Sequence, residues 1–240
     1  QVDKVDDYFH LVEENKRLHR MNDSLLNLLP ANYNMPDTSQ RLVVDSTRYD
    51  TLTRYRRYVY RPAKVIYNST ISESNYLQLN RGANHGVRDQ MAVINSAGAA
   101  VGVVVNVSPN FSQVMSLLHV KSRVTAALKT TGDYGTLEWD GKDPRILNLR
   151  GIPRNIKVAA GDTVLTSVYS YNFPPGFMVG TVAKVEADPA SGFQLVKVKA
   201  AVNFNSIQQV FVVENLQRTE QLQLQKETET KIEQENRTSR

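Results

Sequence analysis

Few residues in this 240-residue chain have the type and spacing for chemistry. The four histidines are His10, His19, His85 and His119, and there is no cysteine. A chain without thiols has no disulfide framework, thiolate zinc site or cysteine nucleophile. His10 and His19 stand nine residues apart on a helical pattern, so they do not share a face at the i, i+3 or i+4 spacing that chelation needs. His85 falls in the turn-like "NRGANHGV", and His119 follows an apolar run. Ser108, Ser112 and Ser167 are available as nucleophiles, but none lies in the glycine-flanked loop that an oxyanion hole requires. The aspartate of "GDTVLTS" sits beside glycine, where it more often makes a turn than an acid catalyst. No H-E-x-x-H, Walker lysine loop or G-x-G-x-x-G is present, so no metal, cofactor or catalytic residue is expected.

Charge offers a second kind of chemistry. Seven cations lie between Arg41 and Lys64 against only Asp45 and Asp50, which accounts for the whole net charge of +5. Within that stretch "RYRRYVYRPAK" interleaves arginine with tyrosine, as single-strand nucleic-acid binders do. The plainer reading is a solvated stalk running into a strand whose tyrosines face a core, and no nucleic acid is expected as a partner. An anionic membrane is a poor fit if the preceding helix stands upright. Its 29 residues, at ~1.5 Å each, lift the cluster roughly 40 Å away, far beyond a Debye length of about 8 Å.

The elements that would position these groups are mainly β. Residues 1–30 read as a coiled-coil helix, with Leu11, Leu18 and Leu25 at one seam position and Tyr8, Asn15, Asn22 and Leu29 at the other. Seam asparagines weaken a coiled coil but fix its register and favour two strands. The competing reading is an amphipathic helix packed on its own domain. Pro30 ends the helix. Gln1 already stands inside the helical pattern, so a longer N-terminus is expected. Residues 31–58 read as a basic linker. From Val59 onward come short apolar runs such as "AKVIY", "MAVIN", "TVLTSV" and "VFVV", closely punctuated by Gly, Asn, Asp and Pro, the pattern of a sandwich or barrel.

One motif occurs twice. "GAAVGVVVNV" and "GFMVGTVAKV" share G-x-x-V-G-x-V-x-x-V, placing Gly98 and Gly102 in register with Gly176 and Gly180, 78 residues apart. The first glycine of each copy suits a turn with positive φ, and the second suits a bend or the close approach of another backbone. Two copies predict two small β-barrels: residues 59–118, completed if need be by later strands, and residues 119–215. Residues 216–240 read as a polar tail, disordered or a frayed helix. Two barrels also raise the trypsin-like serine hydrolases as the alternative function, against which stands the missing nucleophile loop.

Taken in order, "LNRGANHGVRDQMAVINSAGAAVGVVVNVSPNFSQVMSLL", "GTLEWDG", "GDTVLTS" and "FPPGFMVGTVAKV" resemble the rod-shape-determining MreC family, and "YRPAKVIYNS" resembles its Bacteroidetes branch. The likeness runs from about Ala63 to Val213, behind the Asn–Leu heptad helix. The resemblance implies a non-enzymatic scaffold on the periplasmic side of the bacterial inner membrane, anchored by an N-terminal transmembrane helix. It further implies a homodimer or filament that engages a class B penicillin-binding transpeptidase, MreD and RodA, and through them the cytoskeletal filament. Phe111, Phe173 and Phe177 are candidate partner-facing residues, each with a core position as its plainer reading. The arginine-rich stalk and polar tail are not features of the resemblance.

Overall fold

The computed structural model describes residues 16–22, 24–29, 33–34, 55–187 and 192–238. Strand β1 (Tyr33–Asn34) pairs with β2 (Tyr55–Arg56). Twelve longer strands follow. They are β3 (Tyr58–Asn68), β4 (Ser74–Leu79), β5 (Ala92–Asn95), β6 (Ala100–Val107), β7 (Ser112–His119) and β8 (Val124–Leu128), then β9 (Tyr134–Glu138), β10 (Ile146–Pro153), β11 (Thr163–Thr166), β12 (Met178–Ala187), β13 (Phe193–Ala200) and β14 (Gln209–Asn215). They close into two antiparallel barrels, ordered β14-β3-β4-β7-β6-β5 and β10-β13-β12-β11-β8-β9. The interior follows from two-residue alternation: Asn75, Leu77 and Leu79 point inward from β4, Val124, Ala126 and Leu128 from β8, and Gln194, Val196 and Val198 from β13.

The domain limits differ from the sequence reading. Strand β14 pairs with β3 and β5 and closes the first barrel, so the second barrel ends at β13 rather than at residue 215. The second barrel is therefore inserted whole between β7 and β14. Laid round the two rings, β14 corresponds to β8, β3 to β9, β4 to β10, β5 to β11, β6 to β12 and β7 to β13. One barrel is a circular permutation of the other, the first taking from the chain's end the strand with which the second begins.

The matched strands β6 and β12 carry matched irregularities. Gly102 pairs with Val93 and Gly180 with Val164, each next to a break in register. A second break lies between Val104 and Asn106 in β6 and between Val182 and Lys184 in β12. Bulges of this kind bend a strand round a small barrel. Gly98 and Gly176 adopt φ of 76° and 86°. A Cβ on Gly102 would lie 2.2 Å from the Met115 carbonyl oxygen, and one on Gly180 2.1 Å from that of Lys199.

Residues 218–238 are not disordered. They form a helix, Arg218–Thr238, in which Gln223 donates to Glu227 at 2.9 Å and Gln225 to Glu229 at 2.8 Å. Such i, i+4 pairs support a helix that has little apolar face to bury.

The helical residues before Pro30 dock on the first barrel. The His19 ring stacks on Phe211 at 4.5 Å, Leu26 packs against the core, and Asn27 bonds both the N–H and the carbonyl of Tyr60 at 3.2 Å. That contact has a backbone cause: β4 pairs with β3 only from Val65 to Asn68, so Tyr60 presents an open edge that the Asn27 amide fills as a neighbouring strand would. Strand β14, covered by this helix outside and by the barrel inside, is consequently buried from Val210 to Asn215 without alternation.

Candidate protein-binding cleft between the barrels

The loop from β11 to β12, residues 167–177, belongs to the second barrel and packs against the first. Thr166 Oγ1 donates to the Pro174 carbonyl at 2.6 Å and accepts from Phe177 N at 2.9 Å, fixing the turn. Asn172 Nδ2 crosses to the Gln90 carbonyl at 2.9 Å, Asn215 Nδ2 reaches the Tyr171 carbonyl at 3.1 Å, and Met178 N donates to Gly98 O at 3.2 Å. Phe173 is fully buried and cannot face a partner, which corrects its candidacy. Phe177 is half-buried, set between Gly98 and the Tyr60 ring. Phe111 alone of the three stands exposed, at a tip where Ser108 Oγ bonds its backbone.

Beside this joint lies a cleft of about 380 Å³. Val103, Met115 and Val124 line its base, Arg123 and Lys121 one side, and Tyr169 its lip. Tyr169 is 62% exposed and Tyr134 52%, their rings 4.6 Å apart, with Val168 and Tyr171 exposed alongside. Arg123 is steadied by the Val120 carbonyl at 2.8 Å and by Glu138 at 3.3 Å. Gln90, at φ 66°, is the one non-glycine residue with positive φ among the described residues and also borders the cleft. Exposed tyrosines and an arginine round an apolar floor are the composition of a protein-contact surface. The sequence reading missed this patch because Tyr134 and Tyr169 lie 35 residues apart on separate hairpins; the turn-like "SVYSYN", which exposes two tyrosines, was the available signal.

Of the groups considered for catalysis, His85, Ser108, His119 and Ser167 are taken up in local hydrogen bonds, and His10 lies outside the described residues. His119 is buried. Its Nδ1 accepts from Lys121 N at 2.9 Å, so Nε2 carries the proton and donates to the Tyr76 hydroxyl at 3.0 Å. Burial, with Lys121 nearby, lowers its pKa and keeps it neutral. His85 Nδ1 accepts from Gly82 N. Ser108 bonds Phe111, and Ser167 Oγ accepts from Tyr169 N. No cluster of three metal-ligating side chains occurs among the described residues. Nor is any described helix long and apolar enough to cross a membrane.

Tyr58 and Tyr60 of "RYRRYVYRPAK" are core, both buried. Arg57 lies over the Tyr58 ring, and Arg61 pairs with Glu214 at 2.6 Å. Arg41, Arg48 and Arg54 fall outside the described residues, as do Tyr8, Leu11 and Asn15 of the helix seam. The other seam residues, Leu18, Asn22, Leu25 and Leu29, all stand exposed.

Fold and cleft together define a double-barrel protein with a concavity at the joint of its barrels. The family model described as "Rod shape-determining protein MreC, barrel core" matches residues 65–214, and the chain belongs to the MreC family. The cell shape-determining protein MreC of Listeria monocytogenes is 26% identical over 208 residues, 85% of this chain and 66% of that protein's length. The chain thus spans just under two thirds of this relative. A solved Listeria monocytogenes MreC structure superposes with a TM-score of 0.61 at 24% identity, covering 89% of this chain and 93% of the other. A further neighbour in fold, at TM-score 0.55 and 17% identity over 67% of this chain and 99% of that one, comes from a complex between a penicillin-binding protein and MreC of Helicobacter pylori.

Proposed function

We propose that the chain is a periplasmic scaffold of the cell-wall elongation machinery that performs no catalysis itself. In this reading it dimerises through the helix seam, binds a class B penicillin-binding transpeptidase at the interbarrel cleft, and joins MreD and RodA at the inner membrane. The observation that carries the reading is the exposed Tyr134–Tyr169 pair beside an apolar cleft floor. Adjacent exposed aromatic rings beside a cleft are the residue type in which protein-contact surfaces are enriched. The membership of a shape-determining family, and the penicillin-binding partner of the Helicobacter relative, supply the class of partner.

The test is a titration of the 240-residue chain with the periplasmic part of a class B transpeptidase from the same organism. Tyr169→Glu places a charge at the cleft lip without touching the core, and should weaken binding at least tenfold, about 1.4 kcal/mol. Phe111→Glu, at the distant tip, should leave it unchanged. Equal affinity of Tyr169→Glu and the parent chain would remove the cleft from the partner site. A fluorophosphonate probe should label no serine; labelling would revive the hydrolase alternative.

A further inference from the structure

A second concavity, independent of the interbarrel cleft, lies where the docked N-terminal helix meets the first barrel. Its volume is about 260 Å³. Lys16 and Arg20 reach it from successive turns of the helix, Lys64 from β3, and Arg81 from the residues after β4. Pro62 and the His19 ring, stacked on Phe211, form its apolar wall. No carboxylate lines it, and no described carboxylate pairs with Lys16, Arg20, Lys64 or Arg81. The strand ends that present the cations are held firmly: Lys64 N donates to Asn80 Oδ1 at 2.8 Å, and Asn80 N to Lys64 O at 3.0 Å. With its carbonyl oxygen occupied, the Asn80 amide leaves its NH₂ as a further donor in the pocket.

Four like charges gathered round one concavity raise the local positive potential and draw anions to it. By contrast, Arg61 and Arg88 nearby share the Glu214 carboxylate at 2.6 Å and 3.0 Å, so this surface does supply counter-charges where its cations are structural. The pocket thus presents its cations to an anion from solution. Its form follows from the arrangement. Guanidinium forks with ammonium point charges suit phosphate oxygens. Convergence on one concavity suits a compact, multiply charged group, whereas a nucleic acid or extended acidic peptide would call for a stripe. We infer that the groove between the N-terminal helix and the first barrel, formed by Lys16, Arg20, Lys64 and Arg81, binds a diphosphate group, free or as the head of an amphiphile whose apolar part lies along Pro62 and His19.

Calorimetric titration of the full chain with sodium pyrophosphate at low ionic strength should reveal one saturable site. Lys64→Gln/Arg81→Gln, which strands no partner charge, should weaken it at least tenfold with the far-ultraviolet circular dichroism unchanged. Arg20→Gln should weaken it from the helix side. Lys129→Gln/Lys157→Gln, an equal loss of charge on the second barrel, should have no effect. Absence of saturable binding, or equal weakening by the two double variants, would overturn the site. Flotation with vesicles of phosphatidylcholine, with and without a long-chain alkyl diphosphate, separates the two sources. Capture by the anionic vesicles that pyrophosphate competes away, and that Lys64→Gln/Arg81→Gln loses, assigns the site to a lipid headgroup. Pyrophosphate binding without capture assigns it to a free phosphate anion.

Discussion

Gly102→Ala and Gly180→Ala are each expected to destabilise the chain by on the order of 4 kcal/mol or more, near the upper end for single substitutions. The added methyl would sit 2.2 Å from Met115 O in the first case and 2.1 Å from Lys199 O in the second. A carbon needs more than an ångström of further room, and the atom in its way is backbone in the neighbouring strand of a closed ring. Because a barrel has no free edge to swing aside, relief must come from breaking ladder hydrogen bonds. Gly132→Ala is the control. Nothing lies within 4 Å of its Cβ, and its φ of 81° leaves only the left-handed strain, about 1–2 kcal/mol. Urea or thermal unfolding followed at Trp139, the only tryptophan, measures all three. At ~2–4 °C per kcal/mol for a chain of this size, the first two should lower Tm by about 8 °C or more.

The inserted second barrel sharpens that expectation. Strand β14 must return after residues 120–208 to close the first barrel, and both barrels share one contiguous core cluster. Trp139 is buried within the second barrel, its indole N–H donating to Asp143 O at 2.9 Å. It should nevertheless report the loss caused by Gly102→Ala in the first, as one transition. Two separated transitions, or a Tm for Gly102→Ala within 2 °C of the parent, would contradict both the packing and the coupling.

Legibility in the sequence followed the range of the forces involved. The mainly β fold with two barrels was readable because inward and outward alternation is written in adjacent residues, as in "SNYLQL" and "VTAAL". The partner of "VFVV" was not: Val210 to Val213 would fill either barrel equally well, and closure of the ring chose the first. The C-terminal helix is legible only as one of two readings, disorder or a frayed helix, because Leu222, Leu224 and Ile232 make a poor stripe. Its Gln, Glu, Lys and Arg are nonetheless good helix formers, and their i, i+4 pairs do locally what burial does elsewhere. Phe173 was ambiguous for another reason. A proline- and glycine-rich segment looks exposed, yet this one is the joint between two curved surfaces, where a large apolar ring fills space. The pairing of Tyr134 with Tyr169 and the cationic groove were illegible, since each gathers side chains from elements distant in sequence.

The seam leucines pose the question that the fold itself sets up. The docked helix turns His19, Leu26 and Asn27 to the barrel and leaves Leu18 at 49% exposure and Leu25 at 56%, with Met21 and Leu28 exposed alongside. A monomer gains nothing from that second apolar stripe, and Asn22 within it suits a pair across a two-stranded axis. Leu18→Asp and Leu25→Asp are therefore expected to convert a dimer to monomer in sedimentation equilibrium. Each removes two buried leucines per dimer at ~1.5–3 kcal/mol apiece, and ~3–6 kcal/mol is a loss of more than a hundredfold in affinity. The neighbouring position separates association from folding. Leu25→Asp should leave the thermal transition of the isolated monomer unchanged, whereas Leu26→Asp, one residue further on and packed against the barrel, should lower it. A dimer that survives both seam substitutions, or a parent chain that is monomeric at every concentration, would mean that the stripe meets some other surface and that the helix is an arm of the first barrel alone.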